Sequence, residues 1–389
     1  MILDNLIIKG QKGKQQILIH SGKIKAVKSS EPGAPKRKSN GMDPLPAKDA
    51  TIQFDGAMAI PGLINSHDHL DFNLYPQLGN RIYNNYVEWA ADIQRNNKNV
   101  IDAVRRIPKA LRIQWGLYKN LLNGFTTVVN HGERISIEDD LISVFQDCYS
   151  LHSTSFNRNW KWKLNNLFQW RKPYVMHIGE GKDEMAKKEI DTVIRSNWFG
   201  KKIIAVHGIG MDRLHASSFE GLVWCPYSNK FLIGKTAPVN DLKAMMPVVF
   251  GTDSTLSSNW NAWEHFRSGI LQSAISEEDL LTMLTKAPAV LWEMDDRGEL
   301  AADKWADIVV MKSSHYLFSC KPEDILLVMH RGHIRMYDES IADQLKAANG
   351  HSFSRIKLNE STKFVQGDIQ GLIKNIRSYY NGAIFPTLT

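Results

Sequence analysis

The sequence predicts an α/β protein. The expected fold is a (β/α)8 TIM-like barrel, shortened and irregular between strands 2 and 5, with a small β-sandwich from both chain ends. Three observations carry this reading. Short apolar runs alternate with helical stretches through the middle of the chain. Strand-like segments occupy both ends. Histidines and an aspartate fall where the central runs stop.

The first sixty residues read as short strands. Leu6-Ile7-Ile8 and Gln16-Ile17-Leu18-Ile19 are apolar β-formers, and Ser21-Gly22-Lys23 turns into Ile24-Lys25-Ala26-Val27 at period two. Residues 29–49 are rich in Pro, Gly, Ser and Lys and read as a loop. Thr51 to Phe54 reads as a further strand.

From 58 to 297 the texture changes. The runs are Ala59 to Ile64, Thr126 to Val129, Tyr174 to Met176, Ile203 to Val206, Leu222 to Trp224 and Val248 to Phe250. Helical patterns lie between several of them, such as Asp183 to Arg195 and Glu278 to Trp292. Buried runs alternating with helices indicate a parallel sheet of βα units. The length suits a barrel of eight units, typically roughly 250 residues. One stretch departs from this. Between His131 and Tyr174 only Tyr149 to Thr154 reads as a strand, too little for two βα units.

Strands return after Arg297-Gly298, as Ala306 to Met311, Ile325 to Met329 and His333 to Met336. Gly367 to Asn381 has a helical pattern expected to pack on the outside. The expected division is therefore 1–57 with 298–389 as the β-sandwich and C-terminal helix, and 58–297 as the barrel.

Composition sets the class. The 389 residues are 43% hydrophobic and 23% charged, an ordinary globular balance. No apolar run reaches the length of a transmembrane helix, and the N-terminus lacks a signal-peptide pattern, so a cytoplasmic home and no membrane partner are expected. Cys148, Cys225 and Cys320 form neither a CxxC pair nor a disulfide framework. The net charge of +7 is scattered, and its one dense run, Lys36-Arg37-Lys38, reads as a solvated loop, not a nucleic-acid stripe.

The chemistry lies at the run ends. His67 and His69 follow the first run and, two apart in a strand, face one side. His177, His207 and Asp253 follow three later runs. Barrels of this kind place active sites at the C-terminal ends of their strands. Imidazole and carboxylate converging from separate strand ends describe a metal site, suited to zinc but also to iron or manganese. Any one of these histidines alone would read as structural.

Pro61-Gly62-Leu63-Ile64-Asn65-Ser66-His67-Asp68-His69 resembles the opening motif of the amidohydrolase superfamily. Gly124 to Val129 resembles that family's next strand. His177-Ile178-Gly179-Glu180, Val206-His207-Gly208, Cys225-Pro226-Tyr227-Ser228-Asn229 and Gly251-Thr252-Asp253-Ser254 are similar to motifs of its cytosine deaminase, guanine deaminase and triazine chlorohydrolase-like branch. The resemblance spans about residues 1–335. It implies that His67, His69, His177 and Asp253 bind one divalent metal, zinc or alternatively iron(II). It also implies that Glu180 is the proton shuttle and that His207 orients the water or polarises the substrate, with Asp253 catalytic as well as metal-binding.

General chemistry agrees. A bound cation lowers the pKa of water from 15.7 to about 7. Asp253 then takes the water's proton, and Glu180, near the metal but off it, protonates a ring nitrogen and the leaving group. The plain alternative for Glu180 is a carboxylate facing a helix dipole. Branches with two metals use a carboxylated lysine; Lys161 and Lys163, the nearest by order, sit in an aromatic-basic stretch without an apolar run and are set aside.

Five further residues are candidate substrate contacts. They are His131 at a strand end, Tyr75 and Trp89 in an aromatic loop segment, Asn229, and Ser257 after the metal aspartate. Each has a packing or structural alternative. The function expected is a metal-dependent hydrolase of a non-peptide C–N bond, foremost a deaminase of a small nitrogen heterocycle. The alternatives are a cyclic or linear amide hydrolase and a non-catalytic binding protein. The expected partner is a small-molecule substrate, with homo-oligomer formation left open.

Overall fold

The computed structural model describes residues 1–30, 50–137, 141–345 and 352–388. Lys36-Arg37-Lys38 and most of the expected 29–49 loop lie outside them.

Eight short parallel strands carry the central unit: β1 (Leu63–Asp68), β2 (Phe125–Asn130), β3 (Ser143–Phe145), β4 (Tyr149–Leu151), β5 (Tyr174–Ile178), β6 (Ile203–His207), β7 (Gly221–Trp224) and β8 (Val248–Phe250). They form two arcs, β1-β2-β3 and β4-β5-β6-β7-β8, every pair parallel. With helices between most of them, this is a TIM-barrel-like α/β fold. Every residue of these strands except in β3 and β4 is buried, because helices and neighbouring layers cover both faces; β3 and most of β4 are only half-buried. Ile64, Val129, Val175, Val206, Val223 and Val249 pack together between the arcs.

The arcs meet at β8 and β1. The Asp253 amide donates to the His67 carbonyl at 3.0 Å. Close approach there depends on Gly251, where a Cβ would lie 2.7 Å from that of His67.

Between β3 and β4 the sequence reading needs amending. It identified the strand at Tyr149 but not Ser143–Phe145, which pairs with β2. Only 146–148 separates β3 from β4, so no helical crossover fits between them, and the two follow one another in one direction. The irregularity expected between strands 2 and 5 is this missing crossover.

The chain ends join in one eleven-stranded sheet. Strand Met58–Pro61 pairs in parallel with Ile2–Ile8 and antiparallel with Ile308–Met311, tying the N-terminal to the C-terminal strands. The apolar run read as Ala59 to Ile64 therefore splits between two sheets. Gly62 is the breakpoint, and a side chain there would collide with Thr126. Helix Ile369–Tyr379 buries Ile369, Leu372, Ile373 and Ile376 and packs near helix Lys109–Leu122. The stretch expected as one helix from Glu278 is two, Glu277–Leu284 and Lys286–Leu291, broken at Thr285. Among the described residues no helix is long and apolar enough to cross a membrane.

Candidate metal centre

Six imidazoles converge at the C-terminal ends of the strands. His67 and His69 end β1, His177 lies near the end of β5, and His207 ends β6. His131 follows β2 and His152 follows β4. The His67 ring centroid lies 5.0 Å from His69, 5.0 Å from His131, 4.9 Å from His177 and 5.9 Å from His207. His152 stacks on His177 at 4.8 Å and is the exposed member.

Asp253 enters from the end of β8. Its Oδ1 lies 3.9 Å from His67 Nε2 and 4.0 Å from His69 Nε2. Its Oδ2 accepts from Ser228 Oγ at 2.9 Å and Ser257 Oγ at 2.8 Å, and Oδ1 accepts from the Ser254 amide at 2.7 Å. Burial pushes this carboxyl up, but the His207 and His69 imidazoles and the bonds from Ser257 and Ser254 outweigh it. Asp253 is thus held below the ordinary carboxylate range.

Burial drives the histidines the other way. Desolvation, reinforced by neighbouring rings, holds His67, His131 and His177 well below the usual imidazole range. Neutral imidazole is the ligand form. The buried nitrogens His67 Nδ1 and Nε2, His177 Nε2 and His207 Nε2 have no hydrogen-bond partner among the described residues. A polar atom buried without a partner costs roughly 1–3 kcal/mol. Three overlapping groups bring such atoms within 4.8 Å of each other: His67 with His131 and His177, His67 with His207 and Asp253, and His177 with Glu180 and His207. Neutral nitrogens beside a carboxylate fit a divalent metal.

His207 is fixed in one tautomer. Asn229 donates through Nδ2 to the His207 carbonyl at 3.3 Å and to Thr236 Oγ1 at 3.3 Å, so its Oδ1 faces His207 Nδ1 at 2.8 Å. Nδ1 therefore donates, and Nε2 turns its lone pair into the site. His207 (φ 72°) and Asp253 (φ 57°) both adopt left-handed backbone, a strained state for such residues.

Glu180 is buried beside this cluster, off the His67–Asp253 axis. Its Oε2 lies 3.5 Å from His177 Nδ1 and 3.6 Å from His207 Nε2. Burial, then the charges of Asp253 and Glu189, pushes its carboxyl well above the ordinary range. A carboxyl whose proton is held more tightly than usual is suited to act as a general acid.

The expected substrate contacts divide. His131 joins the histidine cluster. Asn229 and Ser257, expected as substrate contacts, spend their polar atoms on His207 and Asp253. Tyr75 is buried with its ring edge toward Phe72 at 5.6 Å, and Phe72 stacks on His69 at 5.4 Å. Trp89 donates to the Leu78 carbonyl at 2.7 Å and packs against the core. Lys161 and Lys163 are exposed on helix Trp160–Leu164. Cys225 is buried and its thiol is pushed well up by that burial, which leaves it protonated.

Sequence reasoning missed His152, although it ends a strand like the other histidines. It also missed a buried polar knot under the site. Lys119 Nζ donates to Asp68 Oδ2 at 3.1 Å, Thr252 Oγ1 at 3.1 Å and the Asp253 carbonyl at 3.3 Å. Asn120 Nδ2 donates to the same Asp68 oxygen at 2.8 Å, and Asn65 Nδ2 reaches Thr252 Oγ1 at 2.8 Å. The knot ties the His67-Asp68-His69 turn to the Thr252-Asp253 turn. No residue spacing signals it, because Lys119 comes from a helix that reads as a plain amphipathic segment. Lys119→Met leaves Asp68 buried without its cation and is expected to cost about 3 kcal/mol of stability. Denaturant titration checks this, and an unchanged midpoint would show the pair to be dispensable.

Comparisons with known proteins bear on the family and the fold. The model of the Amidohydrolase family matches residues 158–335. The 5-methylthioadenosine/S-adenosylhomocysteine deaminase of Pyrococcus furiosus is 23% identical, over 82% of this chain and 87% of its own. Among solved structures, an adenosine deaminase from Xanthomonas campestris with bound zinc is 15% identical with a TM-score of 0.66, over 98% of this chain and 97% of that one. Guanine deaminase from C. acetobutylicum with bound guanine is 16% identical with a TM-score of 0.61, over 86% and 99%. Atrazine chlorohydrolase from Arthrobacter aurescens, complexed with zinc, is 15% identical with a TM-score of 0.62, over 97% and 99%. At these identities the solved structures speak for the fold. The match of residues 158–335 to the Amidohydrolase family, with the motifs and the fold, makes the chain similar to that family and supports a metal-dependent hydrolase of C–N bonds.

Proposed function

We propose that the chain is an aminohydrolase that removes an exocyclic amine, or a similar leaving group, from a small nitrogen heterocycle. The observation that carries this reading is Glu180: a buried carboxyl set between His177 and His207, its pKa pushed up by that burial. Attack on a heteroaromatic carbon needs a proton delivered to the ring nitrogen, and a neutral carboxyl at that point supplies it. Deaminases among the similar proteins support the same choice.

In this reading His67, His69, His177 and Asp253 hold one divalent metal, zinc foremost, with iron(II) as the alternative. When bound, the metal supplies acidification of the attacking water. Asp253, kept ionised by its serine donors, accepts the water's proton. Glu180 delivers its proton to the ring nitrogen; the proton that Asp253 took from the water passes to the departing amine as the C–N bond breaks, and Glu180 regains a proton from the hydroxyl left on the carbon. His207, locked by Asn229, presents Nε2 to the same space and orients the water or polarises the substrate. Phe72 over His69 is the nearest flat apolar surface for a ring. The barrel unit is taken as 58–297, with the ends, 1–57 and 298–389, as a β-sandwich; the shared eleven-stranded sheet supports that division.

Ammonia release, screened over aminated purines, their nucleosides, pyrimidines and triazines, tests this. At least one substrate should release ammonia stoichiometrically with loss of its exocyclic nitrogen. A ring-opened product bearing a new carboxylate, without ammonia, would instead establish cyclic amide hydrolysis on the same residues. The non-catalytic reading is disfavoured because every ligand and proton-transfer position is filled.

A further inference from the structure

Two segments that the metal centre does not use meet at the other end of the strands. Residues 158–172 read Arg-Asn-Trp-Lys-Trp-Lys-Leu-Asn-Asn-Leu-Phe-Gln-Trp-Arg-Lys, and 196–202 read Ser-Asn-Trp-Phe-Gly-Lys-Lys. Neither contains an acidic residue. They lead into the N-terminal ends of β5 and β6, whereas His177 and His207 lie at the C-terminal ends.

Buried polar groups lock the two segments together. Asn165 Nδ2 donates to the Ser196 carbonyl at 2.7 Å, and its Oδ1 accepts from the Trp198 amide at 3.0 Å. The buried Lys201 ammonium donates to the Asn166 and Gln169 carbonyls at 2.9 and 2.8 Å and lies 3.5 Å from the Trp170 ring centroid. Trp162 meets Trp198 edge-on at 6.5 Å, and Trp170 meets Phe199 at 6.1 Å.

The usual order of burial is inverted here. A lysine and an asparagine point in, while Phe168 is 95% exposed, Trp162 77%, Trp198 58% and Trp170 53%. Clustered exposed rings of this kind mark an interaction surface. Charge selects the partner. Lys161, Lys163 and Arg171 are exposed and make no ion pair among the described residues. A two-fold copy would set this patch against itself, with cations facing cations and no carboxylate from either segment. An anionic bilayer complements both components, because Trp settles at headgroup level and Lys and Arg are drawn to acidic headgroups.

We propose that this face docks the protein on the surface of an anionic lipid bilayer, with Trp162, Phe168, Trp170 and Trp198 at headgroup depth and the metal centre turned toward water. A contact that lies on a membrane needs no apolar span, so the absence of one in the sequence does not bear on it.

Sedimentation of the full chain with large unilamellar vesicles tests the proposal. Vesicles of phosphatidylcholine alone are compared with vesicles that also contain phosphatidylglycerol. Binding is expected only with phosphatidylglycerol, with a blue-shifted tryptophan emission and release by salt. Lys161→Gln with Lys163→Gln should weaken partitioning roughly 25-fold, about fivefold for each charge removed. Trp162→Ser with Phe168→Ser should weaken it at least about tenfold, with melting temperature and metal content unchanged. Failure of the wild-type chain to bind either vesicle overturns the proposal, as does equal binding to both. A dimer that dissociates in the Trp162→Ser, Phe168→Ser variant assigns the face to a second copy and overturns it equally.

Discussion

Glu180→Gln is expected to lower kcat by roughly 10²–10⁴-fold while the protein keeps its metal. Glutamine matches glutamate in shape and keeps an oxygen facing His177 and His207, but it has no acidic proton to give. The loss should therefore appear in kcat far more than in metal content measured by atomic absorption. A pH signature accompanies it. The working form of Glu180 is protonated, and burial with the charges of Asp253 and Glu189 pushes its carboxyl well above the ordinary range. Activity of the wild-type chain should fall as pH rises through that raised value, a limb that Glu180→Gln lacks. Full activity in Glu180→Gln would remove the residue from the proton path and with it the proposed mechanism.

The second large effect concerns stability after the metal is stripped. In the unfolded chain an imidazole takes up a proton near pH 6.5. In the fold, burial holds His67, His131 and His177 well below that, and it holds His265, beside Tyr227, at about 3. Below about pH 6.5 the unfolded chain therefore binds more protons than the folded one, so stability falls as pH falls. Each ring that stays neutral costs up to about 1.4 kcal/mol per pH unit below about pH 6.5. Several such rings together draw on a domain's typical total of about 5–15 kcal/mol. Metal bound only by the folded form works in opposition, adding about 4 kcal/mol at a thousandfold excess over Kd. Melting temperatures of chelator-treated and zinc-loaded protein, measured from about pH 7.5 to 5, should fall together as pH falls, separated by a constant metal contribution. Curves that converge as pH falls would mean that these rings are not held neutral by the fold and that protons compete with the metal for them.

The sequence made the ends of the strands legible and left their supports obscure. His67, His69, His177, His207 and Asp253 announce themselves because each stops an apolar run, and the structure brings all of them together. His152 obeys the same rule, but reading the run as Tyr149 to Thr154 put it inside the strand, whereas the strand ends at Leu151. Ser228 and Ser257, which hold Asp253, carry no periodicity, and Asn229 acts through a backbone turn at His207. Lys119 reaches the site from a helix whose spacing signals only an apolar face. Strand β3 was missed because Ser143-Val144-Phe145 is too short for alternation to register. The order of the elements was thus readable from local pattern, while the polar contacts between distant turns depend on tertiary geometry.

The three-residue link between β3 and β4 has a thermodynamic consequence. Each arc is continuous in sequence, 63–145 and 149–250, and the proposed ligand set draws on both. His67 and His69 come from the first arc; His177 and Asp253 come from the second. An ion held by these four residues bridges the arcs, much as a disulfide bridges two segments. Affinity for the ion and cohesion between the arcs are then one linked equilibrium. Whatever loosens the contact between β8 and β1 weakens the grip on the ion by the same free energy with which the ion tightens that contact.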